Sequence, residues 1–166
     1  MKVYFILLVI LISGCASSQS VHLRYEGESY YLPSGVEEIG ATGDSENFLV
    51  FKYSREKGKK YLAFSNSESI EKGDCNYSEF FSAVIQKDGT RSSCDKYKLE
   101  AFRDAFISSS GAGHWKINGL DHYYFITERT GTFVFRVLPN DEIIKIDSDF
   151  LSPEELYSIF ESGDSY

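Results

Sequence analysis

Few stretches of this chain combine residue types that can do chemistry. Nucleophilic catalysis needs a hydroxyl or thiol with a base in reach and a third group to orient that base. Ser108-Ser109-Ser110-Gly111-Ala112-Gly113-His114, followed by Asp121-His122, contains all three types. No G-x-S-x-G strand-to-helix elbow accompanies them, and small residues after a helix are what any helix exit requires, so the run reads as an exit. The histidines, His22, His114 and His122, show neither H-x-x-x-H spacing nor a neighbouring cysteine. If Asn118-Gly119 makes a two-residue turn, pairing backwards sets 114 opposite 123, which puts His114 and His122 on opposite faces of a sheet. Asp141-Glu142 and Asp147-Ser148-Asp149 lack the order and the glycine of an EF-hand and read as solvated turns. Spacing alone therefore points to no catalytic residue and no metal.

The amino terminus carries a different kind of chemistry. After Met1-Lys2 comes an apolar run of ten residues, Val3 to Ile12, too short to cross a bilayer core, which takes about 20 helical residues. It ends in Ile12-Ser13-Gly14-Cys15. Charge, short apolar core, aliphatic residue, two small residues and cysteine together resemble the lipobox of bacterial lipoproteins. That resemblance, which covers residues 1–15, implies a diacylglycerol on the Cys15 sulfur, cleavage before Cys15 and acylation of the new amine. It implies the division 1–14 signal peptide, 15–20 lipid-anchored tether and 21–166 single globular domain, with no cofactor beyond the covalent lipid. The residue after the cysteine is Ala16 where an Asp would favour inner-membrane retention in enteric bacteria, so the resemblance points to the outer membrane, facing the periplasm. Removing Lys2 leaves 16 basic side chains against 25 acidic ones, a balance of −9. Anionic head groups and nucleic acid would both repel such a surface, so the membrane is held through the lipid and nucleic acid is not an expected partner.

With Cys15 assigned to lipid, Cys75 and Cys94 remain as an even pair in an oxidising compartment, and a disulfide is the natural reading. The elements around them explain what it would join. Val21 to Tyr25, Tyr30 to Leu32, Phe48 to Tyr53 and Tyr61 to Phe64 read as short strands, the last two flanking a charged loop, Arg55 to Lys60, in which Gly58 can take positive φ. Helical spacing then takes over. Phe80, Phe81, Val84 and Ile85 form one stripe behind a cap at Asn76 with Glu79 three residues on. Leu99, Phe102, Ala105 and Phe106 form a second, with Ser92, Ser93 or Asp95 at its start and Gly111 past its end. The two cysteines stand just before these two helix starts.

Period two returns with His114 to Ile117, Leu120 to Thr127, Thr132 to Val137 and Ile143 to Ile146. Ser152-Pro153-Glu154-Glu155 then opens a short helix that buries Leu156, Ile159 and Phe160. The fold class is α+β: a mainly antiparallel sheet with a disulfide-linked pair of helices in the middle and a short C-terminal helix.

Thirteen Phe, twelve Tyr and one Trp stand above the usual aromatic content. Neighbours on a strand point to opposite faces, so in each of the pairs Tyr30-Tyr31 and Tyr123-Tyr124 one ring looks outward, and these four tyrosines are the candidate partner contacts. The functional expectation is a non-catalytic envelope lipoprotein that binds another protein, an immunity lipoprotein being one form. The competing class is an envelope hydrolase acting on cell-wall polymer or lipid.

Overall fold

Two successive residues at positive φ, Glu26 at 51° and Gly27 at 82°, turn β1 (Val21–Tyr25) back onto β2 (Glu28–Leu32), pairing Val21 with Leu32 and Leu23 with Tyr30. This hairpin forms a two-stranded sheet of its own. The structure is a computed structural model and describes residues 21–42, 47–66, 70–86, 93–107, 111–127 and 131–161. Signal peptide, Cys15 and tether lie outside the described residues, as do Ser92 and Ser108 to Ser110.

The second sheet has seven antiparallel strands in the order β3-β4-β5-β9-β8-β7-β6. β3 (Glu38–Thr42), β4 (Phe48–Lys52) and β5 (Tyr61–Ser65) make one meander. A second runs through β6 (Ala112–Ile117), β7 (Leu120–Thr127), β8 (Gly131–Val137) and β9 (Ile143–Ser148). The two join where β5 pairs with β9, Leu62 opposite Ser148. Between the meanders the chain forms α1 (Tyr77–Gln86) and α2 (Lys96–Phe106), and it closes with α3 (Pro153–Glu161).

One face of the large sheet is covered by α1 and α2. Phe80, Phe81 and Val84 from α1, with Leu99 and Phe102 from α2, pack on Tyr123, Phe125, Phe133 and Phe135. On the other face α3 and the β1–β2 hairpin bring Leu156, Ile159, Phe160, Tyr30 and Leu32 against Phe51, Phe64, Val134, Ile144 and Ile146. The α+β architecture is thus as read, with the central strands of its sheet buried on both sides.

Local signals hold in detail. Asn76 accepts from the Glu79 amide at 2.8 Å, Asp95 caps α2 through the amides of Tyr97 and Lys98, and Ser152 and Glu155 form a reciprocal capping box. Cys75 and Cys94 are bonded, with Cα atoms 4.9 Å apart, and tie the two helix entrances together. Gly73 is at φ 79°, and an added Cβ would stand 2.8 Å from the Asp95 amide nitrogen, so only glycine lets the two entrances approach this closely.

Two readings change, and one strand is new. Ala105 is exposed rather than part of the α2 stripe, because the helix buries Leu99 and Phe102 and leaves the next turn to Phe106. β3 carries no alternating pattern, and it is a strand because β4 supplies its hydrogen bonds at the sheet edge. The acidic turns are internal acceptors. Asp141 caps α1 through the Tyr77 amide at 2.7 Å and pairs with Lys72, and Asp149 takes the amides of Lys60 and Tyr61.

Candidate functional site

Asn118 at φ 53° and Gly119 at φ 82° form the expected type I′ turn between β6 and β7. It sets the register His114 opposite Tyr123 and Trp115 opposite His122, so the two histidines do lie on opposite faces. Each face gathers its own polar cluster.

On the α1 face, Asp121 sits diagonally across the hairpin from His114, whose Nε2 is 3.0 Å from Asp121 Oδ1. Ser78 Oγ, in the first turn of α1, donates to Asp121 Oδ2 at 3.2 Å, and Lys116 Nζ is 3.9 Å from the same carboxylate. Burial works to raise the Asp121 pKa, but the bonds from His114 and Ser78 and the Lys116 charge outweigh it and hold the carboxyl below the ordinary range. The Tyr123 hydroxyl donates to the Ser78 carbonyl at 3.1 Å, and the His114 ring lies 4.7 Å from the Tyr123 ring.

Serine, histidine and aspartate are all present here, yet the order of contacts is Ser78 to Asp121 to His114. A nucleophilic serine must hand its proton to the imidazole, and in this wiring Ser78 faces the carboxylate instead. What the arrangement does is pin α1 to the β6–β7 hairpin. The register of an Asn-Gly turn was enough to place His114 and Asp121 on one face, whereas Ser78 came to them only through helix packing.

On the opposite face the cluster is buried. His122 is fully enclosed, with Nδ1 3.1 Å from the Leu120 carbonyl and its ring 4.8 Å from Phe160. Arg136, its cross-strand partner, is 4% exposed and donates through Nη2 to Glu28 on β2. The guanidinium also lies 5.7 Å from the ring centroid of Tyr30. Burial first, and then the Arg136 charge, push the His122 pKa down from 6.5 to about 4, against the opposing Leu120 bond and the Asp121 charge.

The fold therefore favours neutral His122. The stability this contributes is fully present above pH 6.5 and is lost as pH falls through the interval down to about 4. Linkage over that interval predicts a loss of about 2 kcal/mol between pH 7 and pH 5. Urea unfolding at several pH values should show this slope in the native chain and a flatter one in His122→Gln. Parallel curves for the two proteins would overturn the assignment.

The tyrosine pairs split as strand geometry demands. Tyr30 and Tyr123 are the inward rings, 0% and 3% exposed, and belong to the two cores, which removes both from the candidate partner contacts. Tyr31 and Tyr124 are half-buried. Tyr31 stacks on His22 across the outer face of the hairpin, with centroids 4.9 Å apart. Tyr124 lies over Gly113, where an added Cβ would be 2.3 Å from its hydroxyl oxygen, and stacks on Trp115 at 4.7 Å. Tyr157 of α3 meets Trp115 edge-on at 5.4 Å. Trp115, Tyr124 and Tyr157, all half-buried, thus line the margin of the sheet at its edge strand β6. Sequence reading passed over Trp115 and Tyr157 because their convergence needs α3 folded against the sheet.

Among the described residues no three or more His, Cys, Asp and Glu side chains come together as a metal site, and no helix is long and apolar enough to cross a membrane. No protein family, curated protein or solved structure matches this chain.

Proposed function

We propose that this chain is a lipid-anchored cell-envelope protein whose domain binds another protein, without catalysis, through the aromatic margin formed by Trp115, Tyr124 and Tyr157. The observation that carries the reading is this half-buried trio beside β6, a strand with a neighbour on one side only among the described residues. Tryptophan and tyrosine supply rigid contact area at little entropic cost and dominate binding energy where they cluster. An edge strand adds unpaired backbone groups that a partner can meet. Anchoring rests on the Ile12-Ser13-Gly14-Cys15 ending, and the immunity role is one form of the same reading.

The experiment is photo-cross-linking in intact cells from a probe placed at Tyr157, followed by affinity measurements on the captured partner. Trp115→Ala and Tyr124→Ser, checked first for native folding, should each weaken binding by roughly 30-fold, the equivalent of about 2 kcal/mol. His114→Ala should leave it unchanged, and Cys15→Ser should block lipid attachment and leave the precursor uncut, as lipid labelling and precursor size would show. An envelope hydrolase is the competing reading, and the His114–Asp121 pair, a base beside a carboxylate, is what speaks for it. Loss of the cellular phenotype in His114→Ala with harmless aromatic substitutions would move the assignment there.

A further inference from the structure

Among the described residues, three buried polar atoms in the cluster between the β1–β2 hairpin and the large sheet make no well-formed hydrogen bond to protein: Tyr30 Oη, which lies beside the Arg136 guanidinium, His122 Nε2 and Arg136 Nε. They belong to one neighbourhood. His122 and Arg136 are directly opposed on β7 and β8, Arg136 lies 5.7 Å from the Tyr30 ring, and the His122 and Tyr30 rings both pack on Phe160, at 4.8 and 5.8 Å. A buried donor or acceptor left without a partner forfeits the hydration it had in the unfolded chain, and buried groups of this kind in native proteins are met by protein or by ordered water.

The chemistry of the missing partner follows from the tautomer of His122. Its Nδ1 faces the Leu120 carbonyl, which can only accept, so Nδ1 carries the hydrogen and Nε2 presents a lone pair. Arg136 Nε can only donate, and the Tyr30 hydroxyl can do either. A group that serves all three must donate to His122 and accept from Arg136. A proton-free anion such as a halide cannot donate and a cation cannot accept, whereas a water molecule does both.

We infer that Tyr30, His122 and Arg136 bind one structural water that bridges the hairpin to the seven-stranded sheet. Tyr30 and His122 are fully buried and Arg136 nearly so, which seals the water in and ties its exchange to opening of the hairpin. Among the described residues the hairpin makes no strand pairing with the large sheet. Its polar attachment at this point is the Glu28–Arg136 ion pair together with this hydrated joint.

High-resolution crystals of the full domain, grown with and without a bromide soak, test the inference. Expected is a single peak about 2.7–3.2 Å from all three atoms, without anomalous signal from bromide. An anomalous peak at that position would assign an anion instead. Direct bonding among the three side chains, with no peak between them, would equally overturn the inference. In solution, oxygen-17 relaxation dispersion should count one fewer long-lived water in Tyr30→Phe/His122→Leu than in the native chain. An unchanged count in the folded variant would also refute it, and if that variant fails to fold the crystal result decides.

Discussion

Replacing Phe81 by alanine should lower the unfolding free energy by about 4 kcal/mol and the melting temperature by about 10 °C. The ring is fully buried at the centre of the layer between α1, α2 and the sheet. It stands 4.9 Å from Phe135, 5.3 Å from Tyr123 and 5.7 Å from Phe102, so it touches the sheet and α2 at once. Truncation removes transfer free energy and leaves a gap bounded by other rings, which are too rigid to close it. Phe106, half-buried at the end of α2, should lose clearly less on the same change. Guanidinium unfolding with an unchanged m-value measures the difference. A loss under about 1.5 kcal/mol for Phe81→Ala would mean that the helical layer settles freely into the space, against the packing described above.

Removing the bridge should have the next largest effect. Cys75→Ala/Cys94→Ala frees a loop closed across a separation of 19 residues. The chain-entropy treatment gives such a loop about 3 kcal/mol, and alanine avoids burying new hydroxyls. The cost falls on the entrances of α1 and α2, where Gly73 and Cys94 also form an isolated bridge and Asp95 donates its amide to the Lys72 carbonyl at 3.2 Å. Hydrogen exchange should therefore quicken first in residues 72–80 and 94–99, while the β6–β7 hairpin keeps its protection until global unfolding. The cysteines are 2% and 9% exposed, so the native protein should resist thiol reagents until unfolded and reduced. Labelling of either cysteine in the untreated protein, or an unaltered stability in the double variant, would contradict the bridge.

These two effects differ in how far the sequence announces them. Phe81 lies in a stripe at helical spacing, so its burial is readable, but its reach to Phe135 and Phe102 depends on which sheet face and which neighbouring helix it meets. The Cys75–Cys94 pairing needed only the count of cysteines once one was assigned to lipid. The tyrosine pairs show the limit in one feature. That one ring of each pair points inward follows from strand geometry, and which one does not, because it depends on register against partners far away in the chain.

Local chemistry was decided by the sequence itself. Asn118-Gly119 specifies a turn whose φ values only such residues adopt readily, and that turn carries the register placing His114 beside Asp121. Asn76 with Glu79, and Ser152 with Glu155, start helices through bonds spanning three residues. Signals of this kind are complete within one turn of chain. Tertiary structure decided everything that joins distant segments: the pairing of β5 with β9, the recruitment of β3 as an edge strand, the seating of Asp141 on α1, and the enclosure of Arg136 with Glu28 and His122. With both faces of the large sheet covered, β8 is buried at six of its seven positions, and the polar-apolar alternation that would reveal which side each residue faces is lost. A charged residue such as Arg136 then gives no local sign of its burial, because what makes burial tolerable is a carboxylate brought to it from another hairpin.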